Sequence, residues 1–287
     1  MLKKFFKKSR WTAILAAVVV CASMMPSMSA KAASPYALMV NRAANCVTVM
    51  SQAADGQYTV PVRSFVCSVG ANPEDTPLGV YSTSDYYEWR QLFGNTYGRY
   101  AIRFNGHILF HSVPYTAPSV NTLLGNSFNK LGEGASAGCV RMAVNDLKWI
   151  YDNCKAGTPV VVYDDATNPG PIGKPSSVKI NMGTGLGNYD PTEVAAYNPW
   201  INLNPVQYLK QDAGDGILHV ATYTNAEKLK EYIGLKDPSG NEIERWNYSL
   251  EVNGNYDFNT PGTYVVWITA ATNSGLYSQQ QYTLQVQ

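Results

Sequence analysis

A histidine, a cysteine and an arginine follow one another in the sequence in an order that could form a nucleophilic thiol site. His111 ends the apolar run 108–110, and Cys139 follows Gly138, with Arg141 two residues further on. A thiol with a pKa of about 8.5 is only slightly ionised at neutral pH, so acyl transfer through cysteine needs a neighbouring base. The sequence therefore predicts Cys139 as a nucleophile and His111 as its general base.

The residues around this pair support the same chemistry. Gly138 allows backbone N–H groups to approach a substrate oxygen, and Arg141 can bind a carboxylate through two hydrogen bonds. Ser112 and Ser136 can orient their neighbours. The alternative is a tight turn with a buried thiol and a packed strand histidine, because a cysteine and a histidine separated by 28 residues are a weak pattern on their own.

Strands must position these residues. Two β-rich runs, 46–50 and 58–70, flank Asp55-Gly56 and predict a hairpin. Two residues that face each other across this hairpin have numbers that add up to about 112. That register places Cys46 near Cys67, a candidate disulfide in an exported protein. The alternative is two small buried side chains.

A second hairpin and a helix complete the frame of the site. Residues 100–104 and 108–111 predict paired strands around Asn105-Gly106, with His107 and His111 on one face. After the cysteine, Asn145 is predicted to cap a helix from Asp146 to about Asn153. Its apolar spacing places Cys154 in the core.

The first 32 residues have the pattern of a secretory signal peptide. A basic start precedes an apolar run of about ten residues, and Ala30-Lys31-Ala32 is typical of a cleavage site. The apolar run is too short to span a bilayer, which takes about 20 residues. A lipidated Cys21 and an uncleaved anchor are the alternatives. We therefore expect a secreted protein, without a membrane segment after cleavage.

Charge excludes one class of partner. Residues 1–32 hold six of the 22 Lys and Arg residues and no Asp or Glu, which leaves 16 basic against 21 acidic residues, a net charge of −5. This balance argues against a nucleic-acid partner, which requires a basic surface. With three histidines and no paired Cys/His spacing, the sequence predicts no metal site.

The second half of the chain has a different pattern. Residues 165–194, rich in Pro and Gly at their start, predict a linker, and residues 195–287 predict a β-sandwich module. Its predicted strands cover 217–223, 248–252, 264–270 and 282–286. His219 fits the alternating pattern of the first strand, which indicates a structural role. We see no catalytic set in this module.

The first half resembles a known family, the L,D-transpeptidase (YkuD-like) catalytic domain. The resemblance covers Tyr36 to Asp164, and residues 195–287 more loosely resemble a bacterial immunoglobulin-like (Ig-like) module through residues 258–267. The matching motifs are Phe110-His111-Ser112, Ser136-Ala137-Gly138-Cys139-Val140-Arg141, Thr76-Pro77-Leu78-Gly79 and Gly157-Thr158-Pro159-Val160-Val161-Val162.

The resemblance implies a fold and an activity. The expected fold is mainly β: a YkuD-like β-sandwich with one or two short helices in residues 36–164, followed by an Ig-like β-sandwich. The expected enzyme needs no cofactor and acts on peptidoglycan stem peptides. Its cysteine attacks the bond between a diamino acid and a terminal D-alanine, and an amine of a second stem then takes the acyl group from the thioester. Acylation of the cysteine by carbapenems is implied as well.

Carried over by position, the resemblance assigns roles to single residues. Cys139 is the nucleophile, His111 the base and Ser112 a neighbour of the histidine. N–H groups around Gly138 and Cys139 are oxyanion donors, and Arg141 contacts substrate. Two features depart from the common pattern: Ala137 stands where many members have a histidine, and the 116–135 loop is longer, so that residues 121–133 are predicted to form a lid or a wall of the substrate site.

Two other functions stay open at the level of sequence. The same thioester given to water makes an L,D-carboxypeptidase, because the sequence does not specify the acceptor. A wall-binding protein with a decayed catalytic domain is the second alternative, motivated by Ala137 and by the C-terminal module.

Overall fold

The computed structural model describes residues 34–287, so the predicted signal peptide lies outside the described residues. Up to residue 163 the chain is mainly β, as predicted. The strands are β1 (Tyr36–Asn41), β2 (Cys46–Gln52), β3 (Tyr58–Ser68), β4 (Gly79–Ser82), β5 (Tyr86–Gln91), β6 (Tyr97–Asn105), β7 (Ile108–Ser112), β8 (Val140–Met142) and β9 (Pro159–Tyr163). The two α-helices of this part are α1 (Gly125–Phe128) and α2 (Val144–Asn153).

These strands form one sheet in the order β4-β9-β1-β2-β3-β8-β7-β6-β5. Strand β3 changes partner along its length: most of it pairs with β2, whereas Cys67 and Ser68 pair with β8. The ladders are antiparallel except for β1 with β9 and β7 with β8. Buried side chains of both halves, such as Leu38 and Phe110, belong to one apolar core. The two halves are therefore packed as a β-sandwich.

The hairpin of β2 and β3 has the register that the Asp55-Gly56 turn predicts, because Cys46 faces Val66. The predicted disulfide is nevertheless not formed, and both Cys46 and Cys67 are buried free thiols. Neighbouring residues of a strand point to opposite faces, so Cys67, one residue beyond Val66, points away from Cys46. The Sγ atom of Cys46 instead lies 3.1 Å from Ser64 Oγ.

Helix α2 is capped by residues that are distant in sequence. It begins at Val144, after Ala143, and no side chain from its own N-cap position bonds to it. Asp190 Oδ2 accepts a hydrogen bond from the Val144 N–H at 2.9 Å, and Thr192 Oγ1 accepts one from the Asn145 N–H at 3.2 Å. Free N–H groups and the helix dipole both favour a carboxylate here. The prediction of Asn145 as the cap is therefore wrong.

The segment after β9 packs against the first domain. Trp200 has 1% of its surface exposed and belongs to the first core, as does Ile180. Glu193 is also buried and forms an ion pair with Arg99 of β6. Part of the predicted linker, 165–194, therefore contributes contacts to the first domain. The exact division of the chain into domains stays a prediction.

The C-terminal part forms two smaller sheets. Its elements are β10 (Val206–Leu209), β11 (Leu218–Val220), α3 (Ala226–Lys230), β12 (Ile233–Lys236), β13 (Glu242–Ile243), β14 (Tyr248–Gly254), β15 (Gly262–Thr272) and β16 (Tyr277–Val286). One sheet has the order β10-β12-β13 and the other β11-β16-β15-β14. Both contribute to one core, for example through Leu235 and Val266. Each predicted strand of this module overlaps an observed one, whereas its Ig-like nature stays a prediction.

Two further features concern the described residues as a whole. Between residues 34 and 287, none of the helices combines the length and the apolar composition that crossing a bilayer requires. Within the same range, no three His, Cys, Asp or Glu side chains are grouped so that they could hold a metal ion. Cys154 is fully buried in the first core, as predicted, and burial raises its pKa to about 12.

Candidate active site

Two neighbouring parallel strands bring the predicted nucleophile and base together. His111 of β7 faces Arg141 of β8 in the ladder, and Cys139 immediately precedes β8. Cys139 is partly buried, and its Sγ atom lies 3.9 Å from the carbonyl oxygen of His107. His111 and Cys139 line the same pocket, which has a volume of about 300 Å³.

The turn that carries the cysteine is held by Ser136. Its Oγ atom donates to the Cys139 carbonyl at 2.6 Å and accepts from the Gly138 N–H at 2.9 Å. Gly138 has a φ of 122°, a region that side chains rarely adopt, and a Cβ atom there would lie 2.4 Å from the carbonyl oxygen of Asp75. A glycine is therefore required before Cys139.

This hydrogen bond changes the predicted oxyanion site. Because the Gly138 N–H already donates to Ser136, it is not free to stabilise a substrate oxyanion in this conformation. The Cys139 N–H is the remaining one of the two predicted donors. Ser136 likewise stabilises the turn, although it also lines the pocket.

Thr76 is a supporting residue whose contact sequence reasoning missed. Its Oγ atom donates to the Gly138 carbonyl at 2.7 Å and accepts from the Gly70 N–H at 2.9 Å, with no exposed surface. Thr76 thus connects the loop before β4 to the turn that carries Cys139. The only signal in the sequence was its place in the Thr76–Gly79 motif.

The tautomer of His111 follows from one contact. Its Nδ1 atom lies 2.6 Å from the carbonyl oxygen of Ser112, which can only accept, so Nδ1 carries the proton and Nε2 a free lone pair. Burial lowers the pKa of His111 to about 4, and the charge of Arg141 acts in the same direction. His111 is therefore a neutral base at physiological pH.

Gly98 on the neighbouring strand β6 leaves room for this imidazole. A Cβ atom at Gly98 would lie 2.8 Å from His111 Cβ and 3.1 Å from its Nδ1. Any side chain at this position would therefore displace the base. No pattern in the sequence pointed to this glycine.

Ser112 contacts its surroundings through both its side chain and its main chain. Its side chain has no exposed surface, donates to the Val113 carbonyl at 2.9 Å and accepts from the Arg99 N–H at 2.8 Å. It does not line the pocket. Its main-chain carbonyl instead orients His111.

The thiol is protonated in the resting state. Burial raises the pKa of Cys139, and the N–H of Leu109 and the charges of Arg141 and Arg103 offset this only in part. A thiol that ionises above neutral pH needs a base at the moment of attack. His111, the predicted base, lines the same pocket.

Arg141 also lines the pocket, and its charge acts on the Cys139 thiol, whereas its contact with substrate stays a prediction. Its Nη1 atom donates to the Ala135 carbonyl at 2.7 Å, which fixes the guanidinium. Its Nε atom is buried and has no hydrogen-bond partner among residues 34–287. The pocket is lined by Arg90, Gln91, Leu92, Phe93, Thr96, Arg103, His107, Leu109, His111, Pro114, Ser136, Ala137, Cys139 and Arg141.

Comparison with known proteins gives a family match in the first half of the chain. Residues 35–162 match the YkuD family. That family is described as the L,D-transpeptidase catalytic domain. The "Putative L,D-transpeptidase YciB" of Bacillus subtilis (strain 168) is 32% identical over 113 residues, which is 38% of this chain and 57% of that relative. This chain thus spans little more than half the length of that relative.

Similar solved structures are more distant. An L,D-transpeptidase from Mycobacterium smegmatis is 19% identical over 45% of this chain and 59% of its own, with a TM-score of 0.36. LdtMt1 in complex with imipenem gives the same values. A fused Zn-dependent amidase/peptidase from Clostridium acetobutylicum ATCC 824 is 21% identical over 57% and 65%, with a TM-score of 0.38.

The 116–135 loop does not line the Cys139 pocket. Residues 116–135 include α1, and Leu123, Phe128 and Leu131 anchor them in the first core. None of them lines the Cys139 pocket, so residues 121–133 do not form a wall of this pocket, and their role as a lid stays a prediction. Ala137 does line the pocket and is exposed, which leaves that side of the thiol open.

Proposed function

We propose that this protein is a secreted L,D-transpeptidase that forms peptidoglycan cross-links through a thioester on Cys139. One observation carries the proposal: Cys139 and the neutral base His111 share a pocket within a domain that matches the L,D-transpeptidase catalytic domain. The substrates are two stem peptides, one as acyl donor and one as amine acceptor.

In the first step, His111 Nε2 takes the proton of the Cys139 thiol as the sulfur attacks the carbonyl of the diamino acid. The oxygen becomes negative, and the N–H of Cys139 is placed to stabilise it. The intermediate collapses, the bond to D-alanine breaks, and His111 returns the proton to the leaving amine. D-alanine leaves and a thioester remains.

In the second step, the amine of another stem attacks the thioester. His111 takes the proton of that amine, the carbon–sulfur bond breaks, and the thiol is restored when the proton returns to sulfur. A positioned base contributes about 10²–10⁴ in rate and an oxyanion donor about 10²–10³. These two contributions support both half-reactions with the same residues.

The test is the intact mass of the purified protein after incubation with a carbapenem, alongside Cys139→Ala. We expect one adduct on the wild type and none on the variant. The other described cysteines, Cys46, Cys67 and Cys154, are buried, so a single site is expected. An adduct of equal yield on the variant would contradict the role of Cys139.

The acceptor is tested separately. With a tetrapeptide donor and an amine acceptor, we expect a cross-linked product in addition to free D-alanine. Tripeptide as the sole product, with and without acceptor, would show hydrolysis and hence an L,D-carboxypeptidase.

We also propose that residues 1–32 direct export and that residues 195–287 are an Ig-like module that positions the enzyme in the wall. The basic and apolar pattern of the first segment supports export. Two sheets around one core support the sandwich reading of the module.

A further inference from the structure

The Cys139 pocket is positively charged. Three arginines, Arg90, Arg103 and Arg141, are among its lining residues, and no Asp or Glu is. The charges of Arg141 and Arg103 act on the thiol itself. A concave site lined by one sign of charge attracts ligands of the opposite sign. The pocket is therefore suited to a substrate that carries more than one carboxylate.

Two of these arginines already have partners. Arg141 is fixed beside the thiol by the Ala135 carbonyl, close to the bond that is broken. Arg103 donates to Asp85 Oδ2 at 2.9 Å and to the Gly106 carbonyl, and its Nη2 lies 3.4 Å from Tyr87 Oη. Asp85 thus balances part of the charge of Arg103.

Arg90 differs from both. Its guanidinium stacks over the ring of Tyr87, with 4.9 Å between its Cζ atom and the ring centroid. In the part of the chain that the structure describes, no hydrogen bond or ion pair of this guanidinium is formed. Stacking restricts the side chain and leaves the planar donor groups free for a carboxylate.

Apolar residues lie between these charges. Leu92, Phe93 and Leu109 line the same pocket, and Phe93 is 96% exposed. Such a surface suits the methylene chain of a diamino acid. In the proposed reaction the side chain of the diamino acid lies nearest to the pocket, because Cys139 attacks the carbonyl of the diamino acid.

We propose that Arg90, held on Tyr87, binds a carboxylate at the end of the diamino acid side chain. The enzyme then prefers a donor with a free carboxylate there over the same donor with a carboxamide. This inference rests on the proposed function. A carboxamide keeps the shape but loses the charge-assisted pair of hydrogen bonds.

The test compares two tetrapeptide donors that differ only in this carboxylate or carboxamide. D-alanine release is measured for the wild type, Arg90→Gln and Arg63→Gln. We expect the wild type to favour the carboxylate donor by about tenfold in kcat/KM, mainly through KM. Arg90→Gln should lose this preference and turn over the carboxamide donor as the wild type does.

Arg63 is a matched control. It is an exposed strand arginine that stacks over Trp149 at 5.1 Å, outside the pocket, so Arg63→Gln should keep the preference. Equal turnover of both donors by the wild type, or a preference that survives in Arg90→Gln, would overturn the inference. If neither the wild type nor either variant releases D-alanine from either donor, the proposed function itself fails.

Discussion

At the thiol, burial and charge act in opposite directions. Burial raises the pKa of Cys139, whereas the Leu109 N–H and two arginines lower it. Burial also lowers the pKa of His111 to about 4. At both residues burial favours the neutral form. The resting site therefore holds a thiol and an imidazole rather than a thiolate and an imidazolium.

A neutral pair predicts a specific pH dependence. His111 is unprotonated above about pH 5, because its pKa is about 4, and the Cys139 thiol stays protonated through neutral pH. General-base attack then needs no prior ionisation. We expect the rate of acylation by a carbapenem to be nearly constant from about pH 5 to about pH 8, as measured by stopped-flow or mass spectrometry.

Alkylation of Cys139 by iodoacetamide is the control, since it consumes only thiolate. Its rate should rise about tenfold per pH unit over the same range. If alkylation were instead fast and independent of pH between about pH 5 and pH 7, the site would hold a preformed ion pair. That result would contradict the neutral resting state.

At the scale of elements, the sequence predicts best where contacts are local. The turn at Asp55-Gly56 lies between two β-rich runs, and this is enough to give the register that pairs Cys46 with Val66. Residue types and the resemblance both predict that His111 and Cys139 belong to one site, but they do not show that β7 and β8 are neighbouring strands. Their parallel pairing joins segments separated by the 116–135 loop, and no local pattern encodes it.

Contacts from distant segments were not predictable. The N-terminus of α2 is capped by Asp190, 46 residues after Val144, within a stretch read as a linker. Pro and Gly content indicates irregular backbone but does not say whether that backbone is buried. Burial of Trp200 depends on the complete first core, which the sequence pattern of residues 195–205 does not show.

Trp200 provides the test at this scale. It is 1% exposed and belongs to the first core, so Trp200→Ala should reduce the free energy of unfolding of that domain by about 3–5 kcal/mol. Urea unfolding is followed by the fraction of protein that a carbapenem still acylates. Trp246→Ala is the matched control, because Trp246 is 74% exposed and its loss should change stability by less than about 0.5 kcal/mol.

The two variants distinguish whether residues 195–205 are a free connection or a part of the first domain. If residues 195–205 were a free connection, both tryptophan variants would unfold at the same urea concentration. A lower midpoint for Trp200→Ala alone indicates that the first folding unit extends past Asp164.

At the scale of the whole molecule, this segment also connects the C-terminal module to the first domain. Gln279 Nε2 donates to the Ser176 carbonyl at 2.8 Å, and Leu276 packs against the first core. All residues that line the Cys139 pocket lie between Arg90 and Arg141, so the module contributes none of them. The Cys139 pocket and the module therefore consist of separate sets of residues.

Shortening the chain to end at Asn204 tests what the module adds. This variant keeps Trp200 and the whole Cys139 pocket, so carbapenem acylation should stay within about twofold of the full chain. Binding to purified peptidoglycan sacculi, measured by co-sedimentation, should fall, because one of two linked contacts with the wall is lost. Full-length Cys139→Ala should sediment like the wild type, since its module is intact and no thioester forms. Equal sedimentation of the shortened and full chains would contradict a positioning role for the module.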